Sequence, residues 1–196
     1  MEVRVFKRTV SFVDVPGECI MYKNFAGRDP KGYNQNHERM FDIELSEQDA
    51  KLLYDLGWRV KVYGIDPNTG KRPKNPEFYD ELENKTYRVT VKVSFKYPTD
   101  VWRIVEGSNK KVKLYPDVKD RSHNISILDG DNIISADIDC RGSVNPNDGI
   151  ISLYNDVSHF VVANSRSAEK YSNFEADDYE AIPQEDFDGE APWEKR

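Results

Sequence analysis

The sequence predicts a mainly β fold, a small Greek-key barrel with one short helix, followed by a disordered acidic C-terminal tail. Three observations lead there. Lys85–Tyr97 alternates Tyr87, Val89, Val91, Val93, Phe95 and Tyr97 against Thr86, Arg88, Thr90, Lys92, Ser94 and Lys96, the period of a half-buried strand. Shorter runs of the same kind recur along the chain, and only Ser46–Gly57 carries both a helix start and a helix stop. From Ser165 onward the β-branched residues almost vanish and acids dominate, so that segment lacks the apolar surface to offset its ordering entropy.

The elements follow in order. Arg4–Val13 reads as a first strand, closed by the turn formers around Pro16 and Gly17. A loop rich in Asn, Gly, Asp and Pro runs from Asn24 to Asn36. Arg39–Leu45 alternates Met40, Asp42 and Glu44 against Phe41, Ile43 and Leu45, a second half-buried strand. Ser46 caps the helix, acids occupy its first turn, and Gly57 ends it. Ala50, Leu52, Leu53 and Leu56 are its expected apolar stripe. Trp58–Tyr63 is the next strand, and Gly64–Pro76 is a long loop. After Lys85–Tyr97 come two hairpins. One pairs Val101–Glu106 with Lys111–Tyr115; the other pairs Ile133–Cys140 with Ile150–Tyr154 and continues to Phe160. Many short strands with one helix and long loops favour an OB-fold-like barrel over a sandwich. The expected division is a domain over residues 1–167 and a tail over residues 168–196.

Charge is distributed unevenly. The 196 residues carry a net charge of −7. Residues 169–196 hold ten acids and three bases, whereas residues 1–168 hold 25 of each. Within the body, residues 1–115 carry 21 bases and 17 acids. A basic first part and an acidic end point to an anionic ligand for the body and a separate role for the tail. No run approaches the ~20 apolar residues of a membrane span, and the sequence enters a strand pattern at once, so neither a membrane partner nor a signal peptide is expected. Cys19 and Cys140 make no disulfide framework and fit a reducing, cytoplasmic setting; whether they pair stays open.

The candidate site combines cations and rings on strand faces. Arg59, Lys61 and Tyr63 lie opposite Trp58, Val60 and Val62. Arg88, Lys92 and Lys96 share one face, and Lys111, Lys113 and Tyr115 share another. Cations that track phosphates and rings that stack on unpaired bases are what single-stranded nucleic acid requires. The same cations can also merely solvate an exposed sheet and discourage edge pairing. Trp102 is opposite in parity to Val101 and Arg103, so it is either a core residue or a stacking platform. Asp137 and Asp139 project to one side and could hold a metal, but nothing nearby completes such a site, and a solvated face is the simpler reading. Asp129-Gly-Asp-Asn starts like a calcium loop and lacks its later ligands, so it reads as a turn. His37, His123 and His159 lack metal-ligand spacing, and no nucleotide-loop or nucleophile motif is present. No cofactor is expected.

Several ordered blocks carry a resemblance. They are Tyr22-Lys-Asn-Phe-Ala-Gly-Arg, Met40-Phe-Asp-Ile-Glu-Leu, and Ala50-Lys-Leu-Leu-Tyr-Asp-Leu-Gly-Trp-Arg-Val-Lys. Then follow Tyr87-Arg-Val-Thr-Val-Lys-Val-Ser-Phe, Ser135-Ala-Asp-Ile-Asp-Cys-Arg-Gly, Gly149-Ile-Ile-Ser-Leu-Tyr, and Glu169-Lys-Tyr before the acids. In that order and spacing, over most of residues 1–172, the chain resembles single-stranded DNA-binding proteins of tailed bacteriophages and prophages. The resemblance implies an OB-fold, cooperative or dimeric coating of single strands, and a tail that recruits replication or recombination proteins of phage or host. Such tails often end on an apolar residue. This one ends Trp193-Glu-Lys-Arg, with Asp186, Phe187 and Asp188 as an internal substitute, and these four residues are the expected partner contacts.

The resulting expectation is a non-catalytic, sequence-tolerant single-stranded DNA-binding protein, phosphates meeting Arg59, Lys61, Arg88, Lys92, Lys96, Lys111 and Lys113, and bases stacking on Tyr63, Trp102 and Tyr115. The alternative of a different class is an acidic DNA mimic that inhibits a host nuclease. The balanced body counts against it, because a mimic spreads acids over its folded surface. A nuclease using Asp137 and Asp139 is the third option.

Overall fold

The computed structural model describes residues 1–29, 34, 36–71 and 82–164. The chain divides into Met1–Ala163 and Asn164–Arg196. Beyond Asn164 the second unit lies outside the described residues, and with it the expected tail and its contacts Asp186, Phe187, Asp188 and Trp193.

Among the described residues the first unit has ten strands and one α-helix, a mainly β fold. The strands are β1 (Glu2–Phe6), β2 (Thr9–Pro16), β3 (Ile20–Asn24), β4 (Arg39–Leu45), β5 (Val60–Ile65), β6 (Glu83–Val93), β7 (Asp100–Val105), β8 (Lys111–Leu114), β9 (Ile133–Val144) and β10 (Ile151–Val162); helix α1 is Glu47–Asp55. They join in one mixed sheet, ordered β1-β2-β9-β10-β6-β4-β3. Most pairs are antiparallel. The exceptions are on β10, which pairs in parallel with β6 at Leu153–Tyr154 and with β7 at Val157–Val162. β6 and β7 therefore share one edge of β10, while β9 holds the other along its whole length. β5 pairs with the first half of β6, and β8 with β7. The described pairing is an open sheet, with β1 and β3 at the ends of its path.

The sequence pattern explains most of these elements. β4 has its expected bounds, with Phe41, Ile43 and Leu45 buried. The Ser46 hydroxyl accepts from the Asp49 N–H and caps α1. The two long hairpins form as expected, β9 and β10 each reaching 12 residues. Phe25, Phe41 and Phe160 pack in the core with centroids 5.3–5.6 Å apart, offset and edge-on as aromatic quadrupoles prefer. Trp58 is buried and covers Gly142, where an added Cβ would lie 2.7 Å from the indole.

Some expectations are corrected. The single strand over Arg4–Val13 is two strands, because Lys7 adopts a positive φ of 54° and the chain reverses there. No Gly, Asn or Pro marks that turn. β3 falls where the sequence pattern predicts no element, apart from Asn24 at the start of the expected loop; it pairs with β4. On α1 only Ala50 and Leu53 are buried, and Leu52 and Leu56 face solvent. Gly64 and Ile65 belong to β5 rather than to the loop, whose later part, from residue 72, lies outside the described residues. β6 ends at Val93, so Lys96 and Tyr97 sit in the connection to β7 and not on the strand face. Both cysteines are free. Burial pushes the Cys140 thiol up and raises that of half-buried Cys19. Among the described residues no helix is long and apolar enough to cross a membrane.

Candidate nucleic-acid interface

Three groups of cations and rings stand on the face of the sheet turned away from the core or, for Arg39, at its end. They differ in what their charges already do.

The first is on the β7–β8 hairpin. Val101 is fully buried and Trp102 only half-buried, so the parity question resolves: Val101 is the core residue and Trp102 the outward one. Register places Lys113 opposite Trp102 and Lys111 opposite Ile104. Lys111 Nζ lies 4.4 Å and Lys113 Nζ 5.6 Å from the Trp102 ring centre, and Lys113 is 5.9 Å from that of exposed Tyr115. On β10, His159 is the register partner of Trp102. Their rings are nearly parallel, at 8° and 6.4 Å. Lys113 also pairs with Asp100 at 2.6 Å, which raises its pKa chiefly through that hydrogen bond. Lys111 makes no ion pair among the described residues. The hairpin thus combines a half-buried indole, a phenol and two ammonium groups, with the imidazole of β10 beside them.

The second group is on β4, β5 and β6. Register sets Arg88 between Glu44 and Lys61, and Thr90 beside Asp42. Arg88 is 9% exposed. Its guanidinium lies 4.9 Å from both the Tyr22 and the Tyr63 ring centres, and its Nε is 3.5 Å from Glu44. Burial raises the Tyr63 pKa. Arg88 and Tyr63 are therefore already engaged with each other, which the alternating pattern of β6 could not show. Asp42 is buried and accepts from the Thr90 hydroxyl at 2.6 Å. Lys61 stays half-buried beside Arg88, and Arg59 pairs at 3.0 Å with Asp148 across the β9–β10 turn.

The third group surrounds a groove of about 990 Å³, which sequence reasoning missed except for Lys92 and Lys96. Arg39 and Lys92 pair there with Asp117 and Glu38, at 2.8 and 3.0 Å. Arg141 pairs with Asp156 at 2.7 Å and stands 5.5 Å from the Tyr97 ring. Lys92 is 6.0 Å from the ring of Tyr154. Partly exposed ion pairs of this kind are worth about 0–1 kcal/mol each, so a phosphate can take the place of their carboxylates.

The acids weighed as metal ligands have structural partners. Asp139 accepts from the Ser11 hydroxyl, and Asp137 from the Asp14 N–H. Asp129 accepts from the N–H groups of Phe25 and Ala26, and Asp131 pairs with Arg103 at 2.7 Å. Among the described residues no three His, Cys, Asp or Glu side chains stand close enough to hold a metal ion. Ser122, His123 and Asp120 lie together, but the serine and the aspartate both meet His123 at Nδ1. That is a local turn, and it lacks the relay of a nucleophile triad.

No family model, no curated protein and no solved structure matches this chain.

Proposed function

We propose that this chain binds single-stranded DNA without strong sequence preference, on an OB-like sheet, and that the outward face of the β7–β8 hairpin is its main contact. One observation carries the reading. Trp102 is half-buried, parallel to His159, and flanked by Lys111 and Lys113 within 5.6 Å of its ring centre. An unpaired base can stack on the indole while the two ammonium groups meet the flanking phosphates. Every base has a π-face, so such a platform is tolerant of sequence. Duplex DNA keeps its bases stacked inside and offers only phosphates to this surface.

The acidic segment of residues 169–196 supports a division of labour, in which the body holds the strand and the tail meets replication or recombination proteins. Coating of single strands in a bacterial cytoplasm during phage replication or recombination, by a monomer or a homodimer, is the setting this proposal implies.

The test is a mobility shift of full-length protein with labelled oligo(dT) and a duplex of equal length. Oligo(dT) shifts first, with log affinity falling by about 0.7 per phosphate contact for each unit of log salt. Equal affinity for duplex would point to a phosphate-only surface, and shortened DNA in the presence of Mg²⁺ to a nuclease.

A further inference from the structure

The residues of β10 that meet the core change parity along the strand. Leu153 and Asn155 are buried in its first half, and Ser158, Phe160 and Val162 in its second. Pairing with β9 slips between Asn155 and Val157, so Asp156 is the extra residue of a β-bulge. Tyr154 and His159 are five positions apart, and an unbroken pleat would put them on opposite faces. The bulge returns both to the face away from the core. His159 there stacks on Trp102, and Tyr154 lines the groove with Arg39, Lys92, Lys96, Tyr97 and Arg141.

The surroundings form a track between these two points. β10 passes from the edge of β6 to the edge of β7 at its bulge. The β6–β7 connection spans that gap and carries Lys96 and Tyr97, both exposed. Lys96 has no ion-pair partner among the described residues. On the other side Asp137 and Asp139 stand exposed on β9, opposite His159 and Val157. Their charge repels a polyanion and confines it to the β6–β7 side. The groove itself falls at the upper end of the roughly 300–1,000 Å³ typical of small-ligand sites.

We infer that the groove is a second nucleotide subsite, and that one DNA strand runs from Trp102 along β10 into it, both sites facing the strand because of the bulge at Asp156. This rests on the single-strand reading of the Trp102 platform. Five residues of strand cover about 16 Å, or roughly five nucleotides at about 3.4 Å per stacked base. The chemistry recognised is an anionic backbone with a planar unpaired ring, which a free mononucleotide shares.

The experiment is fluorescence anisotropy of full-length protein with labelled oligo(dT) of about 3 to 12 nucleotides, within the site sizes of such domains. Competition by unlabelled dTMP is a separate arm. The double variant Lys96→Ala/Tyr97→Ala changes two exposed residues outside the strands, and Lys96→Glu repeats the test by charge reversal; thermal melts check both folds. Wild type should gain about tenfold in affinity between the shortest and the mid-length oligomers and then level off. The groove variants should match wild type on the shortest oligomer and lose about tenfold on the longer ones. Trp102→Ala should weaken both lengths.

Folded groove variants that keep wild-type affinity for long oligomers, while Trp102→Ala loses it, would overturn the second subsite and leave the single-strand reading standing. Displacement of long oligomers by dTMP as readily as short ones would make a mononucleotide the occupant and overturn the continuous track. Absence of wild-type binding to every oligomer would remove the single-strand reading and the subsite together.

Discussion

Arg88 and Lys111 come from similar stretches of sequence, yet the fold uses them differently. Each lies on an alternating strand with a tyrosine or tryptophan in reach. Arg88 sits in the middle of β6, flanked by β4 and β5, with the Tyr22 and Tyr63 rings 4.9 Å away on either count. Its charge is enclosed within the face. Lys111 lies on β8, which among the described residues pairs with β7 alone, and it stands over the half-buried Trp102 ring without an ion-pair partner. A cation in the middle of a sheet is surrounded by its neighbours, whereas one on an outlying hairpin keeps its charge for a ligand. Strand parity tells which face a residue is on, but the strands beside it decide whether that face is free.

The largest effect that could break this comparison is on binding at Trp102. Trp102→Ala should cost about 1–3 kcal/mol of oligo(dT) affinity, roughly 5- to 150-fold, with little change in melting temperature because the indole is outside the core. Fluorescence anisotropy and a thermal melt on the same sample measure both.

Arg88→Ala should show the reverse. Two cation–ring contacts, each worth about 0.5–2 kcal/mol, and the Glu44 pair are lost. The expected loss is about 2 kcal/mol of stability, or a melting point roughly 4–8 °C lower. Oligo(dT) affinity should change less than twofold. Arg88→Lys should restore little, since an ammonium cannot lie flat between two rings. If Arg88→Ala keeps its stability and loses binding, the two regions have been assigned the wrong way round.

Removing Lys111 and Lys113 together sharpens the point by isolating charge from stacking. The double alanine variant should reduce the slope of log affinity against log salt by about 1.4, two contacts at about 0.7 each, and leave the melting temperature nearly unchanged. A slope that does not move would place the phosphates elsewhere.

The smallest effect is a control in the turn whose backbone bonds to Tyr115, on a carboxylate that touches none of the rings of either cluster. Asp120 is held at a pKa of about 2 by its hydrogen bonds from Ser122 and His123. A carboxylate lowered in this way stabilises the fold above its unfolded value of 3.8, and that contribution disappears as pH falls through about 2. Carbon-detected NMR titration should find this midpoint, and Asp120→Asn should abolish it without altering oligo(dT) binding.

How much of this was legible in the sequence depends on how local the cause is. β4, α1 and both hairpins were readable because alternation, the Ser46 cap and the Gly107 and Gly149 turns act within a few residues. The hairpin turn between β7 and β8 alone sets Lys113 opposite Trp102. The turn at Lys7 was not readable, because its residues carry no turn signature. The enclosure of Arg88 depends on Tyr22 and Tyr63, 66 and 25 positions away in sequence, and the bulge at Asp156 has no residue preference that announces it. The groove was missed for the same reason: Arg39, Tyr97, Arg141 and Tyr154 come from four separate segments that only the sheet order unites.

Photocrosslinking tests the central claim most directly, since it reports which rings touch bases. Full-length protein would be irradiated with oligo(dT) containing 5-iododeoxyuridine, and the adducts mapped by peptide mass spectrometry. The account predicts adducts at Trp102 first, then Tyr115 and His159, with fewer at Tyr22 and Tyr63, whose rings Arg88 already occupies on one side. Adducts concentrated at Tyr22 or Tyr63, with none at Trp102, would contradict it.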